Sequence, residues 1–327
     1  MTDIPVLAEV VRSGMAESWH HGSAVAIGAD GQVVYAAGEV SAPMFPRSSN
    51  KPMQATAMVE CGLDSDGKLL ALGAASHSAE EFHVAGVREI LGRAGLTEAA
   101  LQCPPALPID EVALRGFLRA GGQPDRIHMN CSGKHSSMLA TCVAAGWPTE
   151  SYLDPGHPLQ QRIAETVTRL SGDEVAATGV DGCGAPLFAI SLTGLARAFR
   201  AVVLGEPGSA QRRVADAMRS YPDWTSGTRR QERALMEAVP GLLVKAGAEG
   251  VQAFALADGR AAAFKIEDGN GRAVPAISVA LLRLLGVDGA AGDGPTASTA
   301  ALAEIEHVPV YGGGREVGHV RTCLPGS

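Results

Sequence analysis

The sequence contains few aromatic and few charged residues, which make up 4% and 19% of its 327 positions. Apolar residues make up 46%, so the composition excludes a disordered or highly charged scaffold and predicts a globular protein with a large core. Lysine and arginine number 27 against 35 acidic residues, which gives a net charge of −8. This sign excludes a strong non-specific attraction to nucleic acid or to anionic membranes, and we expect neither as a partner.

The N-terminal segment lacks a long hydrophobic run, because Glu9 and Arg12 interrupt its apolar residues. It matches neither a secretory signal nor a membrane span, and we therefore expect a cytoplasmic protein. The chain has six cysteines but no Cys-x-x-Cys pair. In the cytoplasm these cysteines are expected to be reduced thiols rather than a disulfide framework.

Glycine, in contrast, is abundant, with 40 residues, and two Asp-Gly pairs interrupt alternating apolar runs. Such pairs are the strongest short-range signal for a β-hairpin, and they predict hairpins over 23–36 and 251–266. Periodic apolar patterns predict helices elsewhere, over 49–61, 79–94, 135–145, 186–199, 211–219, 229–238, 275–285 and 296–305.

Strands at both ends of the chain and helices in its middle predict an α+β fold. In this fold an antiparallel sheet is built from both termini around a helical middle lobe. We expect a single discontinuous domain over 1–327, with a sheet lobe of about 1–45 and 250–327 and a helical lobe of about 46–249.

One Ser-x-x-Lys motif opens a predicted helix, in the segment Arg47-Ser48-Ser49-Asn50-Lys51-Pro52. At this spacing the Ser48 hydroxyl and the Lys51 amine lie one turn apart on the same helix face, where the amine can accept the hydroxyl proton. Lysine acts as a base only where its surroundings favour the neutral amine, and the helix N-terminus and Arg47 act in that direction. The alternative is that a serine caps the helix and Lys51 is solvated.

Two further residues extend this motif. Ser76 lies in a predicted turn where a second catalytic hydroxyl can stand, and Lys265 lies on the returning strand of the second predicted hairpin. A Ser-x-x-Lys helix, a Ser-x-Ser loop and a late-strand lysine occur in this order in serine β-lactamases and penicillin-binding proteins. The alternatives are an ordinary loop serine and a solvated lysine.

Cys131 and Cys183 are flanked by small residues, and each precedes a predicted helix, a position that stabilises a thiolate. Together with a nearby nitrogen they could hold zinc and leave a fourth position open. The alternative is that both are packing residues, which is the common role of a buried cysteine.

Six segments carry a resemblance to a known family, and they are spread over most of the chain: Val6–Gly14, Glu17-Ser18, Arg47–Ala55, Ser76–Ser78, Cys131–His135 and Asp181–Pro186. On these segments the sequence resembles the L-asparaginase II family, also called the Rhizobium etli type of L-asparaginase. The resemblance implies hydrolysis of the side-chain amide of L-asparagine to L-aspartate and ammonia. It also implies a serine-β-lactamase-like fold and a homodimer.

The same resemblance implies roles for individual residues. It implies two Ser-Lys tandems, Ser48 with Lys51 and Ser76 with Lys265, and a zinc site with three ligands, which are Cys131, Lys134 and Cys183. We expect the metal to affect substrate affinity more than the chemistry. Cations and anions that could bind the carboxylate and ammonium of a small amino acid are Arg47, Glu80, His135 and Asp181.

Two places depart from the family pattern: His21 stands where arginine is usual, and Gln231-Glu232-Arg233 replaces an acidic-Thr pattern. Both departures bear on the substrate preference of the protein more than on the class of reaction that it catalyses. Two other functions stay open at this point. One is another amidohydrolase or peptidase of the penicillin-interacting type, and the other is a non-catalytic zinc-binding or ligand-binding module.

Overall fold

The two ends of the chain form one large antiparallel sheet in the computed structural model, which describes residues 4–287 and 297–325. These residues contain eleven strands: β1 (Val6–Arg12), β2 (Met15–Ile27), β3 (Val33–Ala37), β4 (Pro43–Met44), β5 (Ala177–Val180), β6 (Pro186–Ser191), β7 (Leu243–Gly247), β8 (Val251–Ala255), β9 (Ala261–Ile266), β10 (Pro309–Gly312) and β11 (Arg315–Thr322). Eight of them form the large sheet in the order β10-β11-β1-β2-β9-β8-β7, with β3 also paired to β2. Both predicted hairpins and the α+β fold are thereby confirmed.

The described residues also contain twelve α-helices: α1 (Lys51–Glu60), α2 (Gly67–Gly73), α3 (Glu81–Arg93), α4 (Glu111–Arg119), α5 (Ser132–Ala145), α6 (Pro158–Ser171), α7 (Leu192–Val203), α8 (Ala210–Ser220), α9 (Pro222–Thr225), α10 (Gln231–Ala238), α11 (Val274–Leu284) and α12 (Thr299–Glu306). Helices α2, α4, α6 and α9 were not predicted. The helix predicted over 296–305 begins at Thr299, and position 296 lies outside the described residues. Within the described part of the chain, no helix combines the length and the apolar character that a membrane span needs.

The helix predicted over 186–199 is wrong in its first half. Residues Pro186–Ser191 form β6, which pairs with β5 and β4 in a second, three-stranded sheet. The apolar run at 187–190 is short and wholly buried, a pattern that periodicity alone does not distinguish from a helix. Ser191 marks the true boundary, because its side chain accepts a hydrogen bond from Gly194 N and caps α7.

The large sheet is covered on both faces, and its strands alternate between two cores. Ala261 and Ala263 of β9 belong to the core shared with α1, α2 and α5–α8, whereas Ala262 and Phe264 belong to the core beneath α10–α12. Strand β7 belongs to this sheet although it lies before position 250, where the second part of the sheet lobe was predicted to begin. The predicted division of the chain into two lobes stays a prediction. The β7 edge of the sheet contacts the turn that leads into α1, and this turn contains Ser48.

Candidate active site

The Ser-x-x-Lys motif lies where the chain enters α1. Residues Arg47–Asn50 form one 3-10 turn, and the main-chain N–H of Lys51 donates to Ser48 O. Arg47 has φ +52°, a left-handed conformation that costs a residue with a β-carbon about 1–2 kcal/mol. A strained residue therefore directly precedes Ser48, whose side chain is half-buried.

Lys51 connects three of the predicted site residues. Its side chain is buried, and Nζ donates to Ala75 O at 2.5 Å, to Ser76 Oγ at 2.9 Å and to Cys131 Sγ at 3.1 Å. Nζ thus contacts one main-chain oxygen, one hydroxyl and one sulfur. The structure thus brings Lys51, Ser76 and Cys131 together, one helical turn from Ser48.

The structure does not bring Lys265 to Ser76, which corrects the predicted second tandem. Lys265 Nζ donates instead to Glu249 O at 2.8 Å and to Ile266 O at 3.0 Å. The reason is strand order: β9 is separated from β7, the strand beside the Ser48 turn, by β8. Adjacent strands lie about 4.8 Å apart, so Lys265 sits two strand spacings away from that edge.

Lys245, on β7, is a buried lysine that sequence reasoning missed. Its side chain is 0% exposed, and Nζ donates to Ala246 O at 2.7 Å. Burial, followed by repulsion from Lys51, lowers the pKa of Lys245 to about 7. A signal was present in the sequence, because Lys245 directly follows the apolar run Leu242-Leu243-Val244, and a lysine is rarely buried without a reason.

The predicted zinc ligands form a second buried cluster next to Lys51. Lys134 Nζ lies 3.1 Å from Cys183 Sγ, and the two cysteine side chains are hydrogen-bonded to each other. The hydrogen bond from Cys131 and the Lys134 ammonium lower the pKa of Cys183, while the same bond and burial raise the pKa of Cys131. Each sulfur also has an oxygen neighbour: Cys131 Sγ lies 3.6 Å from Asn130 Oδ1, and Cys183 Sγ lies 3.7 Å from Asp181 Oδ2.

The donor set of this cluster fits zinc. Two sulfurs and one nitrogen within contact of one another match the soft and borderline ligands that zinc prefers. In residues 4–287 and 297–325 no three His, Cys, Asp or Glu side chains converge, so a three-ligand site at this place requires Lys134. His135 lies beside Cys183 with its Nδ1 hydrogen-bonded to Tyr152 at 2.7 Å, and its buried Nε2 has no partner among the described residues.

Arg47 and Asp181, two predicted substrate-binding residues, form an ion pair at the mouth of the site. Arg47 Nε donates to Asp181 Oδ1 at 2.8 Å, and this oxygen also accepts from Gly182 N. A second carboxylate, that of Glu249, lies 3.7 Å from Arg47 Nη1. The guanidinium next to Ser48 is thus placed between two acids.

Glu80, in contrast, is engaged elsewhere. Its carboxylate accepts hydrogen bonds from Thr228 N at 2.9 Å and from Thr228 Oγ1 at 2.7 Å. It also caps α3 in a reciprocal arrangement with His83. These bonds fix Glu80 between α3 and the segment before α10, so its predicted role in substrate binding stays a prediction.

The comparison with known families now adds to this geometry. A family model described as L-asparaginase II matches residues 8–322, nearly the whole chain. The chain belongs to the L-asparaginase II family. This membership identifies the protein as an amidohydrolase, and it accords with a serine and a buried lysine one helical turn apart. No curated protein matches the chain.

Among solved structures, this L-asparaginase II family chain is similar to a β-lactamase from Mycobacterium bovis, with 16% identity, a TM-score of 0.45, and coverage of 81% of this chain and 94% of the other. It is similar to Mglu in its native form at 4.3 M NaCl, with 16% identity, a TM-score of 0.45, and coverage of 84% and 63%. It is also similar to the Bacillus subtilis glutaminase YbgJ, with 13% identity, a TM-score of 0.35, and coverage of 75% and 80%. Likenesses of this strength carry no information about the substrate.

The two departures from the L-asparaginase II family pattern lie in different surroundings. His21 is exposed, and its Nδ1 is hydrogen-bonded to Ile4 O at 2.7 Å. Glu232 is fully buried and lies 3.3 Å from Arg230. Burial opposes its charge, but Arg230 and Lys245 together lower the pKa of Glu232, so this departure bears on the buried Lys245.

Proposed function

We propose that the protein is an L-asparaginase that hydrolyses the side-chain amide of L-asparagine to L-aspartate and ammonia. The observation that carries this proposal is the contact of the buried Lys51 with Ser76, one turn after Ser48, in a chain of the L-asparaginase II family. The resemblance to this family also supports a homodimer. Light scattering on the purified protein tests the oligomeric state.

Ser48 is the nucleophile in this mechanism. Lys51 accepts the hydroxyl proton, Ser48 Oγ bonds to the amide carbon, and the tetrahedral intermediate expels the nitrogen as ammonia. The product of this step is an acyl-enzyme, which water then hydrolyses to release aspartate and free Ser48. In the 3-10 turn at 47–50 the N–H group of Ser49 already donates to Pro46 O at 3.2 Å, and we assign the N–H group of Ser48 to the oxyanion.

Ser76 and Lys245 move the protons that these two steps require. Lys51 acts as the neutral amine in this step, and its Nζ lies 2.9 Å from Ser76 Oγ, so the proton that it takes from Ser48 has a path away from the nucleophile. The leaving nitrogen needs a proton, and the deacylating water must lose one. A lysine with a pKa of about 7 is present in both forms at neutral pH, which suits Lys245 to this exchange.

Cys131, Lys134 and Cys183 would hold zinc. When bound there, the ion would supply a positive charge next to the substrate-binding side of the site. Lys134 has to be neutral to act as a ligand; in the structure burial opposes its charge, while Cys183, Cys131 and Asp181 raise its pKa. Cys131 Sγ also lies 3.1 Å from Lys51 Nζ, so this sulfur adjoins both the zinc-binding cluster and the proposed base.

Ammonia release from L-asparagine, L-glutamine and short amides, with and without a chelator, tests the proposed function. We expect release from L-asparagine by the wild type and none from the Ser48→Ala variant. Mass spectrometry of a trapped acyl adduct is expected to locate it on Ser48. Reaction with a chromogenic β-lactam and indifference to L-asparagine would favour a penicillin-interacting enzyme instead, and an adduct on Ser76 would refute the role of Ser48.

A further inference from the structure

The turn between β7 and β8 places an acidic side chain at the mouth of the candidate site. Glu249, in this turn, has its carboxylate 3.7 Å from Arg47 Nη1, and Arg47 directly precedes Ser48. Neither the sequence motifs nor the proposed chemistry uses Glu249. Its position therefore asks for a separate explanation.

The turn is held tightly against the segment that contains Ser48. A β-carbon at Gly247 would lie 2.5 Å from Pro46 O and 3.3 Å from Ser49 N, so only glycine allows β7 to end at this distance. On its other side the turn is tied to β9, because Lys265 Nζ donates to Glu249 O at 2.8 Å and Ile266 N donates to Gly250 O at 2.9 Å. The position of Glu249 relative to Arg47 is thus set by contacts to the main chain of the turn, one of them made by the Lys265 side chain.

The backbone at Glu249 favours glycine, yet a long acidic side chain stands there. Its φ is +61°, in the left-handed region where a β-carbon is disfavoured. The carboxylate lies against Gly269, a glycine that its own φ of +74° requires. A residue with a β-carbon that is kept in this conformation indicates a role for its side chain.

Among the acids discussed for the site, Glu249 is the one available to a ligand. The side chain of Asp181 is 10% exposed and already accepts from Arg47 and Gly182, and Glu80 is bonded to Thr228. The Glu249 side chain is 63% exposed, and its contact with Arg47 is longer than a hydrogen bond. A ligand cation can reach this carboxylate without displacing a tight ion pair.

Arg47 and Glu249 together present a positive and a negative group a few ångströms apart, next to Ser48. An α-amino acid carries the opposite pair, a carboxylate and an ammonium group on one carbon. We propose that Arg47 takes the α-carboxylate of the substrate and that Glu249 recognises its α-ammonium group, so that the site selects amides of α-amino acids over amides of simple carboxylic acids. This inference rests on the proposed function and names the residue that sets its substrate class.

The test compares two ligands that differ only in the α-ammonium group, L-aspartate and succinate, by isothermal titration calorimetry on the full-length wild type and three variants. Glu249→Gln removes the charge, and Glu249→Gly removes the side chain while suiting the positive φ. Glu267→Gln is the matched control, since it neutralises an exposed carboxylate that follows β9. These measurements do not depend on turnover, so they decide the role of Glu249 whether or not ammonia is released from L-asparagine.

We expect the wild type to bind L-aspartate more tightly than succinate. Both Glu249 variants are expected to lose about tenfold in affinity for L-aspartate, the lower end for a charge-assisted hydrogen bond at an exposed site, and none for succinate. The control is expected to bind both ligands as the wild type does. Equal weakening of both ligands, an unchanged preference in Glu249→Gln, or a wild type without preference would overturn the proposal.

Discussion

Replacing Lys245 by methionine should stabilise the protein and abolish its turnover. The pKa of Lys245 is about 7 in the folded chain, whereas an unfolded lysine titrates near 10.4. The unfolded state therefore binds more protons between these values, and the unfolding free energy of the wild type rises with pH, by up to about 1.4 kcal/mol per pH unit. At pH 7 the buried Lys245 amine lowers the free energy of unfolding by about 4 kcal/mol relative to a side chain that does not titrate. Near pH 10.5 this difference disappears.

Denaturant unfolding of the wild type and Lys245→Met at several values between pH 7 and pH 10.5 measures this difference. We expect the variant to be more stable at pH 7, by at most about 4 kcal/mol, and the two curves to converge as the pH rises. Ammonia release by the variant should be lost, because its side chain neither gives nor takes a proton. Lys68→Met, which replaces an exposed lysine on α2, is the matched control, and we expect it to keep turnover. Parallel stability curves for wild type and Lys245→Met, or an active Lys245→Met, would refute the reasoning.

Three further predictions concern the surrounding site. Ser48→Ala should reduce ammonia release on the order of 10³-fold or more, with an unchanged circular dichroism spectrum, and a smaller loss would place the nucleophile elsewhere. Cys183→Ser should lower the zinc retained after dialysis against zinc-free buffer, as read by elemental analysis, while equal zinc in both proteins would contradict the ligand assignment. Gly247→Ala should lower the unfolding free energy by about 1–3 kcal/mol, since its β-carbon would meet Pro46 O at 2.5 Å, and unchanged denaturation would show that β7 can move away.

Local sequence signals predicted much of this structure. The Asp-Gly pairs at 30–31 and 258–259 mark hairpins because glycine tolerates positive φ, and Gly31 and Gly259 have φ of +84° and +89°. The spacing of Ser48 and Lys51 likewise follows from helix geometry alone. These features depend on residues close together in the chain, so no knowledge of the tertiary fold was needed.

Long-range pairing was beyond such signals, and the choice between Lys265 and Lys245 shows why. Both lysines lie on strands of the large sheet, and alternation says only which face each side chain points to. Which strand lies beside the Ser48 turn depends on the order β9-β8-β7, and no local pattern encodes that order. For the same reason the short buried run at 187–190 was interpreted as helix rather than as a strand of a second sheet.

The pairing of β2 with β9 also determines the order in which the parts of the site form during synthesis. Gly22 pairs with Ile266, and β1 pairs with β11 near the end of the described residues. Contacts between such distant residues form slowly, because a long loop must close before they gain stability. A chain emerging from the ribosome therefore makes its Ser-Lys helix early but completes the sheet around Lys245 only after β9 and β11 have been made.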